Sequence, residues 1–266
     1  MKNIQSKTIV FITGAFVTHT GWENWVTYFE NLGYTCINEP WPFKRGTAAQ
    51  LRSKQPYDTQ LADLHYSDVV EHYAHIILKQ DEKPILIGHS LGGLTVQMLL
   101  QRNLGVAGIA IHSVPPQGVT TFEFSFIKSL WKPLGLFSSL KKTHLMSFKE
   151  WQYAFTNGLS YEEQKESYEN NTIPESRRVM RGPLGSQGKI NFKKPHPPLL
   201  FIAGSADHIM PASLNYTNYK KYKDPKSVTD YMEFEGKNHY VLGLPSWRDE
   251  AEFTNSWINK QFGILN

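Results

Sequence analysis

The chain has 266 residues, 40% of them hydrophobic and 20% charged, an ordinary globular composition with enough length for one large domain or two small ones. Its formal charge of +4 is too mild to imply nucleic acid, and no basic stripe is interleaved with aromatics. No segment is long enough to cross a bilayer, and the single cysteine, Cys36, allows no intrachain disulfide, so nothing requires an oxidising compartment and a cytoplasmic location is expected.

Thr8 to Thr13 reads as a buried strand ended by Gly14. Its apolar run, Ile9 to Ile12, is too short for a signal-peptide core and has no plausible cleavage site behind it. Trp22 to Asn31 is a helix closed by Gly33, and Tyr34 to Asn38 is a second strand closed by Pro40 and Pro42. Cys36 in that strand reads as a small buried hydrophobe. Residues 43–56 are polar and irregular. From Asp58 to Gln80 the spacing of Leu61, Leu64, Val69, Tyr73, Ile76 and Ile77 predicts one helix. Pro84 to Gly88 is the third strand, Gly92 to Arg102 a helix, and Gly108 to His112 the fourth strand, stopped by Pro115-Pro116.

The alternation then breaks. Residues 116–188 look helical and aromatic, without a clear strand. Pro198 to Ala203 is a strand, Leu214 to Tyr222 a helix, Thr229 to Phe234 a strand, and Arg248 to Phe262 the closing helix. Alternating strands and helices predict an α/β fold with a mostly parallel central sheet flanked by helices. The domain reading is a core of residues 1–115 and 189–266 with a helical cap of residues 116–188 inserted above it. The paired lysines 141–142, 193–194 and 220–221 read as solvated surface. Aromatic residues make up 13% of the chain, rich enough for an apolar pocket as well as a core.

The chemistry centres on Gly88-His89-Ser90-Leu91-Gly92-Gly93, behind an apolar strand and ahead of a helix. A serine hydroxyl is a poor nucleophile unless the backbone presents it to a base, and a sharp strand-to-helix turn does this. The base needs an orienting acid, and both belong at the carboxyl ends of strands. Asp207 follows one late strand and His239 the next, which makes them the candidate acid and base. Oxyanion donors should be backbone amides: Leu91, after the nucleophile, and Ala15 in the first loop, with Phe16 as the alternative. Among the other histidines, His89 should point away from the attack site and His208 is too close to Asp207 to be oriented by it. His65, His72 and His75 share a helix with Asp68 and Glu71 but lack a His-Glu-X-X-His spacing, so no metal site is expected. His19, His112, Trp131 and Trp151 are candidate pocket residues.

In these segments, and in the order Ser90, Asp207, His239, the chain resembles the α/β-hydrolase superfamily over nearly its whole length. The second segment is Gly204-Ser205-Ala206-Asp207-His208-Ile209-Met210-Pro211, and the third is Asn238-His239. The stretch from Gly14-Ala15 to Gly21-Trp22 looks like a lengthened version of the loop in the plant methylesterase and hydroxynitrile-lyase group. Thr13-Gly14 stands where many members carry His-Gly. The resemblance implies six parallel strands, a helical cap and cofactor-free hydrolysis through an acyl-enzyme. The expected substrate is a small-to-medium apolar ester-like molecule, and the protein a monomer or homodimer. Lactonase, C–C bond hydrolase, lyase, perhydrolase and cofactor-free dioxygenase chemistries share the fold, as do non-catalytic ligand-binding relatives. Serine at the turn argues against the haloalkane dehalogenase and epoxide hydrolase branches, which use aspartate there.

Overall fold

The computed structural model describes residues 6–263. Residues 1–5 and 264–266, at the outer ends of the expected core segments, lie outside the described residues. In chain order the first half contains β1 (Thr8–Ile12), α1 (Glu23–Asn31), β2 (Thr35–Ile37), α2 (Ala48–Ser53), α3 (Thr59–Asp63), α4 (Tyr66–Leu78), β3 (Ile85–His89), α5 (Leu91–Gln101) and β4 (Ala107–Ile111). The chain then leaves the sheet through α6 (Phe124–Leu134), β5 (Thr143–His144), α7 (Phe148–Ala154), α8 (Tyr161–Asn171), β6 (Glu175–Ser176) and α9 (Arg177–Arg181). It re-enters at β7 (Leu199–Gly204), followed by α10 (Ala212–Tyr219), β8 (Thr229–Phe234) and α11 (Trp247–Phe262).

Six strands form one sheet in the order β2-β1-β3-β4-β7-β8, and every pair is parallel. β3, β4 and β7 are buried at every position, as strands covered on both faces must be. Alternation divides their side chains between two cores. Val10, Ile12, Leu86 and Phe201 pack under α4, α5 and the inserted segment. Ile9, Phe11, Ile87, Ile109 and Ile202 pack against Trp22, Trp25, Phe29 and Trp257 on the other face. Among the described residues, no helix is long and apolar enough to cross a membrane.

Three local expectations change. The helix predicted over 58–80 is two helices, α3 and α4. The Asp68 carboxylate accepts the His65 N–H at 2.9 Å, and the Ser176 hydroxyl donates to the Leu64 carbonyl at 2.8 Å, so the chain restarts at His65. The irregular stretch 43–56 contains α2, nucleated by a reciprocal cap. Thr47 Oγ1 accepts the Gln50 N–H and Gln50 Oε1 accepts the Thr47 N–H. The segment read as lacking strands holds one short antiparallel pair, β5 with β6.

The sheet positions the site through one close approach. A Cβ at Gly88 would collide with the Gly92 carbonyl. A Cβ at Gly92 would overlap the Ile12 carbonyl and lie 2.9 Å from the Thr13 oxygen. Side-chain-free positions therefore let β1, β3 and α5 meet backbone to backbone. Gly92→Ala is expected to destabilise the fold by about 3 kcal/mol, the upper range for overpacking. Gly21→Ala, where an added Cβ meets nothing within 4 Å, should change stability by less than about 1 kcal/mol. Urea unfolding of the two variants checks this; equal stabilities would show that the contact does not constrain the sheet.

Candidate active site

Ser90 stands between β3 and α5 with φ 57° and ψ −119°. That conformation is strained for a residue with a Cβ, by about 1–3 kcal/mol, and its surroundings hold it in place. The Ser90 N–H donates to the Ile111 carbonyl at 2.9 Å, and the Ser90 carbonyl accepts from Gly93 and Val114, each at 3.0 Å. The Ser90 side chain is thereby turned out at the amino end of α5, where the first amides have no partner within the helix.

Asp207 and His239 reach Ser90 from the loops after β7 and β8. Ser90 Oγ lies 3.0 Å from His239 Nε2, and His239 Nδ1 lies 2.6 Å from Asp207 Oδ2. The other carboxylate oxygen, Asp207 Oδ1, accepts the N–H groups of Ile209 and Met210, both at 2.8 Å. With Nδ1–H held by the carboxylate, Nε2 is left as an acceptor for the serine hydroxyl.

His112 is the residue whose position differs most usefully from expectation. It does not line the cavity that opens on Ser90. It lies fully buried beneath Asp207, with Nδ1 2.7 Å from the same Oδ2 that His239 uses. Its Nε2 is 3.7 Å from Glu250 Oε1 on α11, an ion-pair distance rather than a hydrogen bond. Burial alone would lower the His112 pKa, but Asp207 and Glu250 reverse that and raise it to about 9. Burial also opposes charge on Asp207, yet the two imidazoles hold its carboxyl far below the usual range. Burial pulls His239 below the ordinary histidine value, Asp207 opposes this, and His112 adds to the lowering. His89 packs against the His239 ring at 4.6 Å between centroids and is held neutral, chiefly by burial.

Metal-ligand atoms of His112, Asp207 and His239 lie within 4.8 Å of one another. Both Nδ1 atoms sit at hydrogen-bond distance from one carboxylate oxygen, the pattern of two N–H donors sharing an acceptor. Hydrogen bonding therefore accounts for this cluster.

A cavity of about 100 Å³ opens on Ser90, and Ala15, Phe16 and Leu91 line it beside the serine. Among the described residues the Ala15 N–H makes no hydrogen bond, whereas the Phe16 N–H donates to Glu175 Oε2 at 3.2 Å. Phe16 itself has φ 67°. Glu175 is fully buried and also pairs with Lys44, whose ammonium sits 3.7 Å from the centre of the Trp41 ring. Burial pulls the Lys44 pKa down, and Glu175 opposes it. Neither Lys44 nor Glu175 is suggested by any local pattern; they come together across 131 positions of sequence.

The remaining wall is apolar and comes largely from the inserted segment. Phe126, Leu130 and Leu134 of α6, with Phe155 after α7, face Ser90. Trp131 does not: one residue, and so about 100° of helix, past Leu130, it is 65% exposed. Trp151 is buried behind the wall. It stacks on Phe155 at 4.3 Å, and its Nε1–H donates to Ser167 Oγ at 2.9 Å. Phe155 in turn meets the His239 ring edge to face at 4.8 Å. His19 lies outside the cavity, in a short 3₁₀ turn whose carbonyl accepts from Asn38 at 3.0 Å.

A model of the alpha/beta hydrolase family matches residues 9–253. No curated protein matches the chain in sequence. Among solved structures, an extracellular alpha/beta-hydrolase from a Paenibacillus species is 18% identical with a TM-score of 0.69, over 93% of this chain and 97% of that one. A methylesterase from Arabidopsis is 14% identical with a TM-score of 0.66, over 95% and 98% of the two chains. Tomato methylketone synthase I, in a complex with beta-ketoheptanoate, is 14% identical with a TM-score of 0.69, over 97% and 100%. At these identities the likeness is one of fold.

The shared carboxylate has a measurable signature. In NMR titration His112 is expected to change charge near 9 and His239 below its ordinary value. In His112→Asn the cation that lowers His239 is gone and Asp207 is less shared, so the His239 titration should move to higher pH. An unmoved His239 titration would show that the two rings are not coupled through Asp207.

Proposed function

Because the chain belongs to the alpha/beta hydrolase family, we propose that it is a serine esterase acting on a small-to-medium apolar ester through an acyl-enzyme. The observation that carries this reading is the continuous line from Ser90 Oγ to His239 Nε2 at 3.0 Å and from His239 Nδ1 to Asp207 at 2.6 Å, opening on an apolar cavity. Esterase-type relatives of the same fold, such as the Arabidopsis methylesterase, agree with it.

In the proposed reaction His239 Nε2 takes the Ser90 proton as Oγ attacks the ester carbonyl carbon. The carbonyl electron pair moves to oxygen, which the Leu91 and Ala15 amides receive. These donors are fixed in advance, so they need no reorganisation as charge develops. His239 then gives its proton to the leaving alcohol as the C–O bond breaks. Water, deprotonated by His239, attacks the acyl carbon; the bond from that carbon to Ser90 Oγ then breaks, His239 returns the proton to Oγ, and the acid is released. Asp207 holds the His239 tautomer and stabilises its cation, while His112 and the two amides on Oδ1 keep Asp207 aimed.

Residues 116–188 are the proposed cap over the core of residues 1–115 and 189–266. Val114, Leu130, Leu134, Ile209 and Met210 give the cavity apolar walls, which suits a hydrocarbon acyl or alkyl group. Glu175 and Lys44 act here as positioning residues. By holding the Phe16 amide they leave the Ala15 N–H as the donor of that loop.

Ser90→Ala is expected to lose about 10³-fold or more of p-nitrophenyl acetate turnover, the range for triad losses, together with covalent labelling by a fluorophosphonate. Wild-type turnover in that variant would overturn the assignment. Glu175→Ala should lower kcat by about 10²-fold, the scale of one oxyanion donor, with KM little changed; Glu175→Gln, which keeps an acceptor for Phe16, should recover much of it. If both variants changed KM alone, the oxyanion role would be wrong. Leu130→Ala should raise turnover of hexanoate relative to acetate esters. An unchanged ratio would remove Leu130 from the acyl site.

A further inference from the structure

α6 has two apolar faces, and only one is covered. Phe126, Leu130 and Leu134, spaced four apart, turn toward Ser90. Phe124, Ile127 and Trp131 turn outward and are 74%, 45% and 65% exposed. Phe122 before the helix and Phe137 after it are 94% and 95% exposed. Single exposed apolar side chains need no explanation, but a contiguous set marks an interaction surface.

A surface groove of about 440 Å³ runs past Trp131 and Phe137. Phe126, Leu130 and Leu134 line both this groove and the cavity on Ser90. Three side chains therefore stand between the outer face and the serine. A second surface groove, of about 590 Å³, lies among Phe124, Ile127, Trp131, Lys128 and Tyr153.

The charge of α6 and the segment that follows it is one-sided. Residues 122–150 hold five lysines, Lys128, Lys132, Lys141, Lys142 and Lys149, against Glu123 and Glu150. All five lysines are exposed. Both glutamates are already engaged, Glu123 by the Ser213 hydroxyl and Glu150 by the Ser147 hydroxyl and amide. Exposed Phe and Trp beside a set of lysines is the composition of an element that lies in a membrane interface.

We propose that α6 and its flanks dock on an anionic lipid bilayer surface. The aromatic side chains enter the headgroup region, and the lysines meet anionic headgroups. A second copy of the chain fits this face poorly, because two-fold pairing would bring lysines against lysines. Docking would set the groove against the bilayer, so that an apolar ester passes across Phe126, Leu130 and Leu134 to Ser90. That last step rests on the proposed esterase reading; docking itself does not.

The test is co-sedimentation of the full chain with vesicles of phosphatidylcholine alone and of an equal mixture of phosphatidylcholine and phosphatidylglycerol. Binding to the mixed vesicles is expected to exceed binding to the neutral ones by about tenfold or more, and to fall in high salt. Phe122→Ser with Phe137→Ser, and separately Lys141→Glu with Lys142→Glu, should each weaken binding by about tenfold, with p-nitrophenyl acetate turnover unchanged. No sedimentation with either vesicle overturns the proposal. So do equal binding to both vesicles, wild-type binding by both double variants, and a dimer that Phe137→Ser dissociates without any vesicle binding. Ser90→Ala run in parallel separates the two readings. Loss of turnover leaves docking standing, and absence of docking leaves turnover standing.

Discussion

The site depends on how closely β3 and α5 approach β1. Gly88 and Gly92 remove the side chains that would hold these three elements apart. The turn between β3 and α5 is then so tight that Ser90 must take φ 57°. The strain is local, but the bonds that hold it are not. The Ser90 amide is tied to β4 through Ile111, and its carbonyl to Val114 beyond that strand. The serine is thus carried by the sheet itself, and substrate binding need not form its geometry. The Leu91 amide inherits the same rigidity, being the next residue along.

Around Asp207 the constraint is electrostatic. Its four acceptor contacts come from two imidazoles and two amides, so every direction around the carboxylate is filled. Ionised groups this deeply buried persist only where partners replace the lost water. His112 meets Asp207 on one side and approaches Glu250 on the other, joining β4 and α11 beneath the site. A histidine in the proposed base role and a second histidine share one carboxylate, and their environments push them apart. The deeper ring is raised toward the cation, and the ring at Ser90 is lowered toward the neutral form.

What the sequence made legible was local or ordered along the chain. The turn at Ser90 is announced by glycines within four positions of it, and Asp207 and His239 by their places just beyond two late strands. The mostly parallel sheet follows from the alternation of apolar runs and helices, and the resemblance adds that its six strands are all parallel. Contacts between distant segments could not be read in this way. Lys44 and Glu175 meet only because the fold brings the loop after β2 against β6, and His112 looked like a wall residue because nothing nearby points to Glu250. Trp131 and Leu130 are neighbours in sequence, yet helical phase sends one to the surface and the other to the cavity. Two helix starts do carry a local signal: Thr47 and Gln50 cap each other reciprocally, and the Asp68 carboxylate accepts the His65 N–H.

The loop after β1 is stitched to the inserted segment at several points. Phe16 accepts from the Ile173 amide at 2.9 Å and donates to Glu175, and Val17 bridges Thr172. Ala15, the proposed donor, is therefore anchored to the very polypeptide that roofs the cavity. On the proposed reading, a rigid-body movement of that segment would carry the Ala15 amide with it. On the proposed esterase reading, passage past the side chains of α6 leaves the Ala15 amide in place. Residues 172–176 thus tie to the loop after β1, while α6 supplies Phe126, Leu130 and Leu134 to the cavity wall. On that reading, substitutions in α6 retune selectivity alone, whereas substitutions at residues 172–176 also disturb the proposed donor.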